Sequence, residues 1–435
     1  MKKVLVITYY WPPAGGVSVL RTLKIVKYLR EFGWEPIVFT VSNPSYPYID
    51  MNNLNDVPDG LEVIKGPIIE PFDIFKKLSG RKKEERLDNI LQVRSKNSNL
   101  FESLGIWVRA NFFIPDARSL WIRPSVKYLK RYLKKNKVDA IFSDGPPHTN
   151  TVIANKLSVN FNLPWLADFQ DPWTQADYYE MFPIGKIAHL RHMKMEKRVF
   201  ENADKITIAS PTWKNDLEKI GANDVSVVYY GYDETDFEKI DSKKLSNKIL
   251  ITHAGLLGID RFPENFFKAL SILIREDKSL NEKIEVHLVG QVDWSIKDEI
   301  KRMGLTSICT FIDFMPRKEV LQMNANANLL LLPLNKAANA KGRLPGKIYE
   351  YLKSGTPTLA FGPKDSDASK ILHQTKCGVT AEYSELDEML DVLREVIHKN
   401  TLSDFQPDEL EIQEFSNFNQ TKKIAGYLDA ITTDK

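Results

Sequence analysis

A chain of 435 residues has room for two or three domains, and 43% hydrophobic with 27% charged residues is the balance of a globular protein that can bury sizeable cores. A net charge of +3 is small for that length and argues against a nucleic-acid binder. Cys309 and Cys377 stand far apart and the histidines show no zinc spacing, so neither a disulfide framework nor a metal cluster is expected, and a reducing cytosol suits the chain.

Lys2 and Lys3 precede only the short apolar run VLVI, too little for a signal-peptide core. The longest apolar stretches, such as LLLLPL at 329–334, are strand-sized. The expected location is cytoplasmic, either free or peripheral on the inner face of a membrane.

Val4 to Tyr10 reads as a buried strand from its continuous β-prone run. WPPAGG follows, then a helix from Val17 to Phe32 with Leu20, Leu23, Val26 and Leu29 on one stripe. Gly33 ends that helix and Ile37–Val41 is the next strand. This is a βαβ unit with the glycine pair Gly15–Gly16 at its first turn. It lacks the three-glycine dinucleotide fingerprint and the Gly-Lys-Ser/Thr ending of a phosphate loop, which weakens nicotinamide, flavin and ATPase readings.

Between Ser42 and Lys137 only Leu61–Ile64 suggests a strand, and 76–86 (KKLSGRKKEER) is a charged segment. The stretch 118–137 interleaves eight Lys or Arg residues with Trp121, Ile122, Val126, Leu129 and Leu133. Such a basic amphipathic helix can lie on an anionic membrane. The plainer reading is a helix of the α/β layer with a solvated basic face.

Val138–Ser143 is a strand ending in DGPPH. Helix 149–160 leads to a strand at 164–169 ending in QDPW. In a parallel sheet both ends lie on the carboxyl edge, where open α/β folds place ligands. His148 and Asp171 therefore come from adjacent units toward one rim. The competing reading for both is a cap or turn role. Strands at 204–210 and 225–229 follow, then GYDETDF and a polar linker at 233–247.

The pattern restarts at Lys248–His253 with HAGLLGIDRFPENFFKAL, a strand–glycine turn–helix unit holding Gly255 and Arg261. A guanidinium at that place suits a bidentate phosphate contact. Ile284–Val289, Cys309–Ile312 and Leu329–Pro333 are further strands, the second leading to DFMPRKEV. The string KGRLPGKIYEYLKSGTPTLAFGP then gives a loop, a helix expected to carry Pro345 in its first turn, a Gly355 stop and the strand TLAF. A loop feeding a helix start is a ready anion site, with Arg343, Leu344, Pro345, Gly346 and Lys347 around it. Glu350 lies one turn further in. It leans back toward the same ligand, placed to accept hydrogen bonds from sugar hydroxyls. Phosphate beside ribose is the mark of a nucleotide. A final helix is expected at 415–431.

LPGKIYEYLKSGTPTLAF resembles the nucleotide-binding helix of the family-4 glycosyltransferases. The glycine pair at 15–16, PPHTN…LPWLADFQDPW and GYDETDF are similar to further strings of that family, the DF-x-DPW string to those of a bacterial subgroup. The resemblance implies an α/β, GT-B fold: two facing Rossmann-like doubly wound domains, 1–232 for the acceptor and 248–414 for the nucleotide sugar, with 415–435 crossing back to the first. It implies Glu350 as the ribose ligand, phosphate contacts near Gly255 and Arg261, Gly16 facing either the donor's phosphates or the acceptor across the cleft, and retention of anomeric configuration. It also implies work in bacterial surface polysaccharide or glycoconjugate synthesis. Three positions depart from the common pattern: Gly342 replaces a second Glu, Leu256 replaces an Arg after Gly255, and Gln170 replaces a His.

The expectation is thus a transferase moving a sugar from a nucleoside-diphosphate sugar to a carbohydrate or lipid-linked acceptor, with His148 and Asp171 near the reacting carbon and no nucleic-acid partner. No Asp-x-Asp string ends a strand, so neither metal nor other cofactor is expected. Backbone N–H groups with Arg or Lys stabilise a leaving diphosphate, and closure about the linker is expected to assemble the site. An epimerase or phosphorylase of the same fold, or a non-catalytic nucleotide-sugar-binding or scaffold protein, are the alternatives.

Overall fold

The computed structural model describes residues 1–46, 48–68, 100–176, 179, 181–242, 248–337 and 339–433. The charged segment 76–86 and residues 243–247 of the expected linker lie outside the described residues. The chain divides into two compact units, one of residues 1–229 with 417–435, the other of residues 230–416.

Unit 1 is built on seven strands: β1 (Lys2–Ile7), β2 (Trp34–Val41), β3 (Glu62–Gly66), β4 (Ala140–Gly145), β5 (Trp165–Phe169), β6 (Lys205–Ile208) and β7 (Val225–Val227). Their order is β3-β2-β1-β4-β5-β6-β7 and every pairing is parallel. Helices α1 (Val17–Tyr28), α2 (Leu100–Phe112), α3 (Ile122–Leu133), α4 (His148–Phe161), α5 (Lys186–Asn202) and α6 (Pro211–Lys219) accompany the strands. Both sheet faces are covered, which is why the strands read as unbroken apolar runs. Leu5, Ile7, Phe39 and Ile141 face Trp121, Leu129, Ile153 and Leu157. The alternate residues Val4, Val6, Val38 and Phe142 face Leu23 and Val26 of α1, together with Ile424 and Leu428 of the C-terminal helix Asn417–Thr433.

α1 closes through a short 3-10 turn, Leu29–Phe32, and Gly33 caps it at φ 80, a left-handed conformation that costs glycine little. α3 turns Ile122, Ser125, Leu129 and Leu133 inward, behind the buried Trp121 that precedes it, so its apolar side is spent on the core. What 118–137 offers solvent is mainly its basic side, with Tyr128.

Unit 2 carries β8 (Ile249–Ala254), β9 (Ile284–Val289), β10 (Cys309–Ile312), β11 (Leu329–Pro333), β12 (Thr358–Phe361) and β13 (Gly378–Ala381). The order is β10-β9-β8-β11-β12-β13, again all parallel. Its helices are α7 (Glu264–Glu276), α8 (Trp294–Arg302), α9 (Arg317–Asn326), α10 (Lys347–Lys353), α11 (Asp367–Gln374) and α12 (Leu386–Lys399), with shorter turns between. Phe266, Phe267, Leu270, Leu288, Leu331 and Leu393 are among its core residues.

Residues 233–242, read from sequence as linker, are part of unit 2. Asp233 is buried and caps the turn Glu234–Asp236 by accepting from Thr235 N–H, and the Ser242 hydroxyl donates to Ala325 C=O at 2.9 Å. Among the described residues, no helix is long and apolar enough to cross a membrane.

Candidate active site

Each sheet reverses its strand order once, between β1 and β4 in unit 1 and between β8 and β11 in unit 2. Ligands of open α/β sheets sit outside the carboxyl ends of the strands at such points. Two sets of residues gather there.

In unit 2, β8 runs into Gly255 at φ 125 and β9 into Gly290 at φ 107. A Cβ on Gly290 would come within 2.7 Å of Gly255 O, so the two turns meet backbone to backbone. A Cβ on Gly255 would come within 3.0 Å of Lys347 Nζ, whose ammonium lies over that turn and donates to Ala254 C=O at 2.8 Å. Burial, with Arg261 adding repulsion, pushes the Lys347 pKa down to about 7, while the Glu350 charge opposes the shift. Burial, Lys347 and Arg261 likewise hold the buried His253 neutral, its pKa down at about 3. Arg261 pairs with its neighbour Asp260 through Nη2 at 2.8 Å.

Glu350 stands on α10. Arg317, the first residue of α9, donates to Glu350 Oε1 through Nε at 3.1 Å and Nη2 at 2.9 Å. Its Nη1 donates to Asp236 Oδ2 at 2.8 Å, and the two carboxylates raise the Arg317 pKa further. Both bonds to Glu350 fall on one oxygen, so Arg317 fixes the carboxylate's plane while Oε2 is left to accept from a ligand. Sequence reasoning missed Arg317 and Asp236, although DFMPRKEV and GYDETDF contain them.

The loop before α10 differs from expectation. α10 begins at Lys347 with Gly346 as its cap, and Pro345 precedes the helix, its C=O accepting from Ile348 N–H at 2.9 Å. Leu344 is buried, and Arg343 leaves a 3-10 turn, Ala340–Gly342, in extended conformation. A helix of seven residues has few aligned dipoles, so the Arg261 guanidinium and the charged form of Lys347 add to what its end offers an anion.

In unit 1, Gly16 caps α1 at φ 91 on the carboxyl edge of β1. Across the reversal, His148 is the first residue of α4. Its ring stacks on Trp173, centroids 4.4 Å apart and planes 4° apart, and both ring nitrogens are buried without a hydrogen-bond partner. Burial, with His192 nearby, lowers the His148 pKa to about 3, so the ring is neutral and a weak base. It lines a cavity of about 340 Å³ together with Tyr10, Arg109, Phe113, Phe182 and His192. Asp171 follows β5 on the same edge but is not among the cavity's lining residues. Gln170 is buried, its N–H donating to Gly145 C=O at 2.6 Å and its amide nitrogen to Ser18 C=O at 3.4 Å.

His148 and Gly16 thus gather on the edge of unit 1, and Gly255, Arg261, Lys347 and Glu350 on the edge of unit 2. Among the described residues no cluster of three His, Cys, Asp or Glu side chains is placed to hold a metal ion.

Solved structures of the same fold span nearly the whole chain. HepE from Anabaena, in complex with UDP-glucose, is 15% identical, with 99% of this chain and 100% of that one covered at a TM-score of 0.62. An alpha,alpha-trehalose-phosphate synthase (UDP-forming) from Burkholderia vietnamiensis is 10% identical with 100% of both chains covered, at 0.63. A glycosyltransferase from Rickettsia africae is 14% identical, covering 100% and 99%, at 0.61. No curated protein sequence matches the chain.

Two Rossmann-like units of this order, with these neighbours, define an α/β protein of the GT-B glycosyltransferase fold. Residues 14–236, half of the chain, match the model of Glycosyltransferase Family 4, and the chain belongs to that family.

Proposed function

We propose that the protein transfers a sugar from a nucleoside-diphosphate sugar to a carbohydrate or lipid-linked acceptor, with unit 2 holding the donor and unit 1 the acceptor. The observation that carries this reading is the group on the edge of unit 2: a carboxylate pinned on one oxygen, two cations and two abutting glycine turns. Glu350 takes the ribose hydroxyls. Lys347 and Arg261 take the diphosphate, and the loop Arg343–Gly346 borders it. As the glycosidic bond breaks, negative charge grows on the diphosphate, and fixed cations in a partly desolvated site stabilise it without a metal. Retention of configuration and a place in surface polysaccharide or glycoconjugate synthesis belong to the same proposal, on family likeness alone. The cavity beside His148 suits a sugar: aromatic faces for its apolar side, and an imidazole with two uncommitted nitrogens to bond its hydroxyls. A pKa of about 3 fits His148 to hydrogen bonding better than to proton abstraction.

Thermal shift against UDP, GDP, ADP and their sugar conjugates tests the donor. Ligands that bind only the folded state raise the melting temperature. UDP is the first nucleotide to try, because the Anabaena neighbour was solved with UDP-glucose. A rise with one nucleotide and with its sugar conjugates is expected. No rise with any of them, with or without divalent ions, would favour a non-catalytic protein.

Lys347 makes a second, independent prediction. At pH 8 a group with a pKa of about 7 is mostly uncharged. An arriving diphosphate favours the charged form and raises that pKa. Binding at pH 8 should therefore take up close to one proton, and affinity should fall as pH rises above 7. Calorimetry in buffers of different ionisation enthalpy measures the uptake. Lys347→Met should abolish it, and a wild-type enthalpy independent of buffer would refute the assignment.

A further inference from the structure

On the side of unit 1 where α2 meets the start of α5, large apolar side chains point outward. The end of α2 is tied to the turn before α5: Asn111 Nδ2 donates to Pro183 C=O at 2.9 Å, and Gly185 N–H donates to Asn111 Oδ1 at 2.8 Å. Trp107 and Phe112 touch edge to face on α2 and both are exposed, Phe112 by 68%.

On α5, Ala188, His192, Glu196 and Val199 turn inward. The opposite line is Lys186, Leu190, Met193 and Lys197, flanked by Ile187, Arg191, Lys194 and Arg198. Ile187 is 72% exposed and Leu190 63%. The apolar residues fill the first two turns and the cations surround them.

No acidic residue occurs at 103–115, and the single one at 181–200, Glu196, is buried and accepts from Thr174. Five cations on one helix face of a chain whose net charge is only +3 are a local concentration. A soluble face rarely sets Ile, Leu, Met, Trp and Phe side by side in solvent. Apolar side chains ringed by cations, with Glu201 the exposed acid of α5 and set at its far end against Lys197 at 3.8 Å, are complementary to a layer that is apolar within and anionic at its surface.

We propose that this face, α2 from Trp107 to Phe112 with the first three turns of α5, docks the protein on an anionic lipid bilayer. Arg109, Phe182 and Ile184, at the join of the two helices, also line the His148 cavity. Docking here sets the mouth of that cavity at the lipid surface, so its occupant is the head of a lipid-anchored acceptor. That last step rests on the acceptor reading above, whereas the docking itself does not.

The test uses the full chain and sedimentation with vesicles of phosphatidylcholine alone or mixed with phosphatidylglycerol. Binding is expected to the mixed vesicles and to weaken with salt. Ile187→Gln, Leu190→Gln and Met193→Gln together, at exposed helix positions where Gln is well tolerated, should reduce it about tenfold or more with the melting temperature unchanged. Lys186→Gln, Arg191→Gln and Lys194→Gln together should do the same. Four neutralisations on α3 and its C-cap, Arg123→Gln, Lys127→Gln, Lys130→Gln and Lys134→Gln, should leave most binding intact.

The proposal is overturned if mixed vesicles do not bind the wild type, if only the α3 set matters, or if the apolar set changes oligomeric state while vesicle binding persists. That last result would make the face a contact between copies. Loss of vesicle binding in a protein that still binds nucleotide separates this proposal from the donor assignment.

Discussion

Glu350→Ala should cost nucleotide binding on the order of 3 kcal/mol, about two decades in Kd, measured by calorimetry with the nucleoside diphosphate that raises the melting temperature. A carboxylate receiving two hydroxyl hydrogen bonds gains more than a neutral acceptor does, roughly 1.5–3 kcal/mol each. The carboxylate is already partly desolvated and oriented by Arg317, so little is spent on arranging it when the ribose arrives. Folding should be nearly unaffected, because Arg317 keeps Asp236 as its partner in the variant. Arg317→Met is the contrasting case. It leaves Glu350 and Asp236 without their shared cation, so binding should weaken and the melting temperature should fall as well. An alanine variant that binds the nucleotide as tightly as wild type would remove Glu350 from the donor site, whatever the fold.

The placement of Glu350 on a short helix after a loop was legible because its surroundings are local. Loop, helix, Gly355 stop and strand are consecutive in sequence, and the strand and stop stand where the string put them. The strands were legible for a related reason: with both sheet faces covered, apolar runs are unbroken, and Ile284–Val289, Cys309–Ile312 and Leu329–Pro333 match their sequence bounds.

Partnerships across the sheet were not legible. Arg317 reaches back 81 residues to Asp236 and forward 33 to Glu350, and only the strand order brings these together. Pro345 stands two residues before α10 rather than inside its first turn, and its C=O closes a tighter turn with Ile348 N–H ahead of the helix. α2 escaped notice because LFESLGIWVRANF is apolar on several sides and leaves Leu104, Trp107 and Phe112 in solvent, so it carries no single stripe. His148 reads from sequence as a rim residue, with a solvent-facing cap as the alternative, and the sequence does not show its stacking on Trp173, delivered by the next βα unit.

Arg21→Met should destabilise unit 1 by about 3–5 kcal/mol, the usual result of orphaning one member of a buried ion pair. Arg21 and Asp168 side chains are 1% and 0% exposed. Arg21 donates through Nε and Nη2 to both Asp168 oxygens, at 2.7 and 2.8 Å, and to the C=O groups of Val228 and Tyr229 at 2.8 and 2.6 Å. One guanidinium thus ties α1 to β5 and to the segment after β7. Without it, Asp168 keeps only the Thr207 hydroxyl as a donor among these, and two buried carbonyls lose a partner. Asp144 makes matters worse. Burial has already pushed its pKa up to about 7, against hydrogen bonds from Thr22, Thr8 and Asn150, and the Asp168 charge adds to the rise.

A carboxyl group whose folded pKa is raised contributes stability that is complete below its unfolded value and is lost as pH climbs through the folded one. The penalty in Arg21→Met should therefore be larger at pH 8 than at pH 6, because the low-pH form can protonate a buried carboxyl. Urea unfolding at the two pH values measures it. Adding Asp168→Leu to Arg21→Met should restore much of the loss and remove part of the pH dependence, since an apolar pair of similar volume carries no buried charge. A single variant that loses less than about 1 kcal/mol at both pH values would mean that water reaches Asp168, and that the pair is not the clamp its geometry describes.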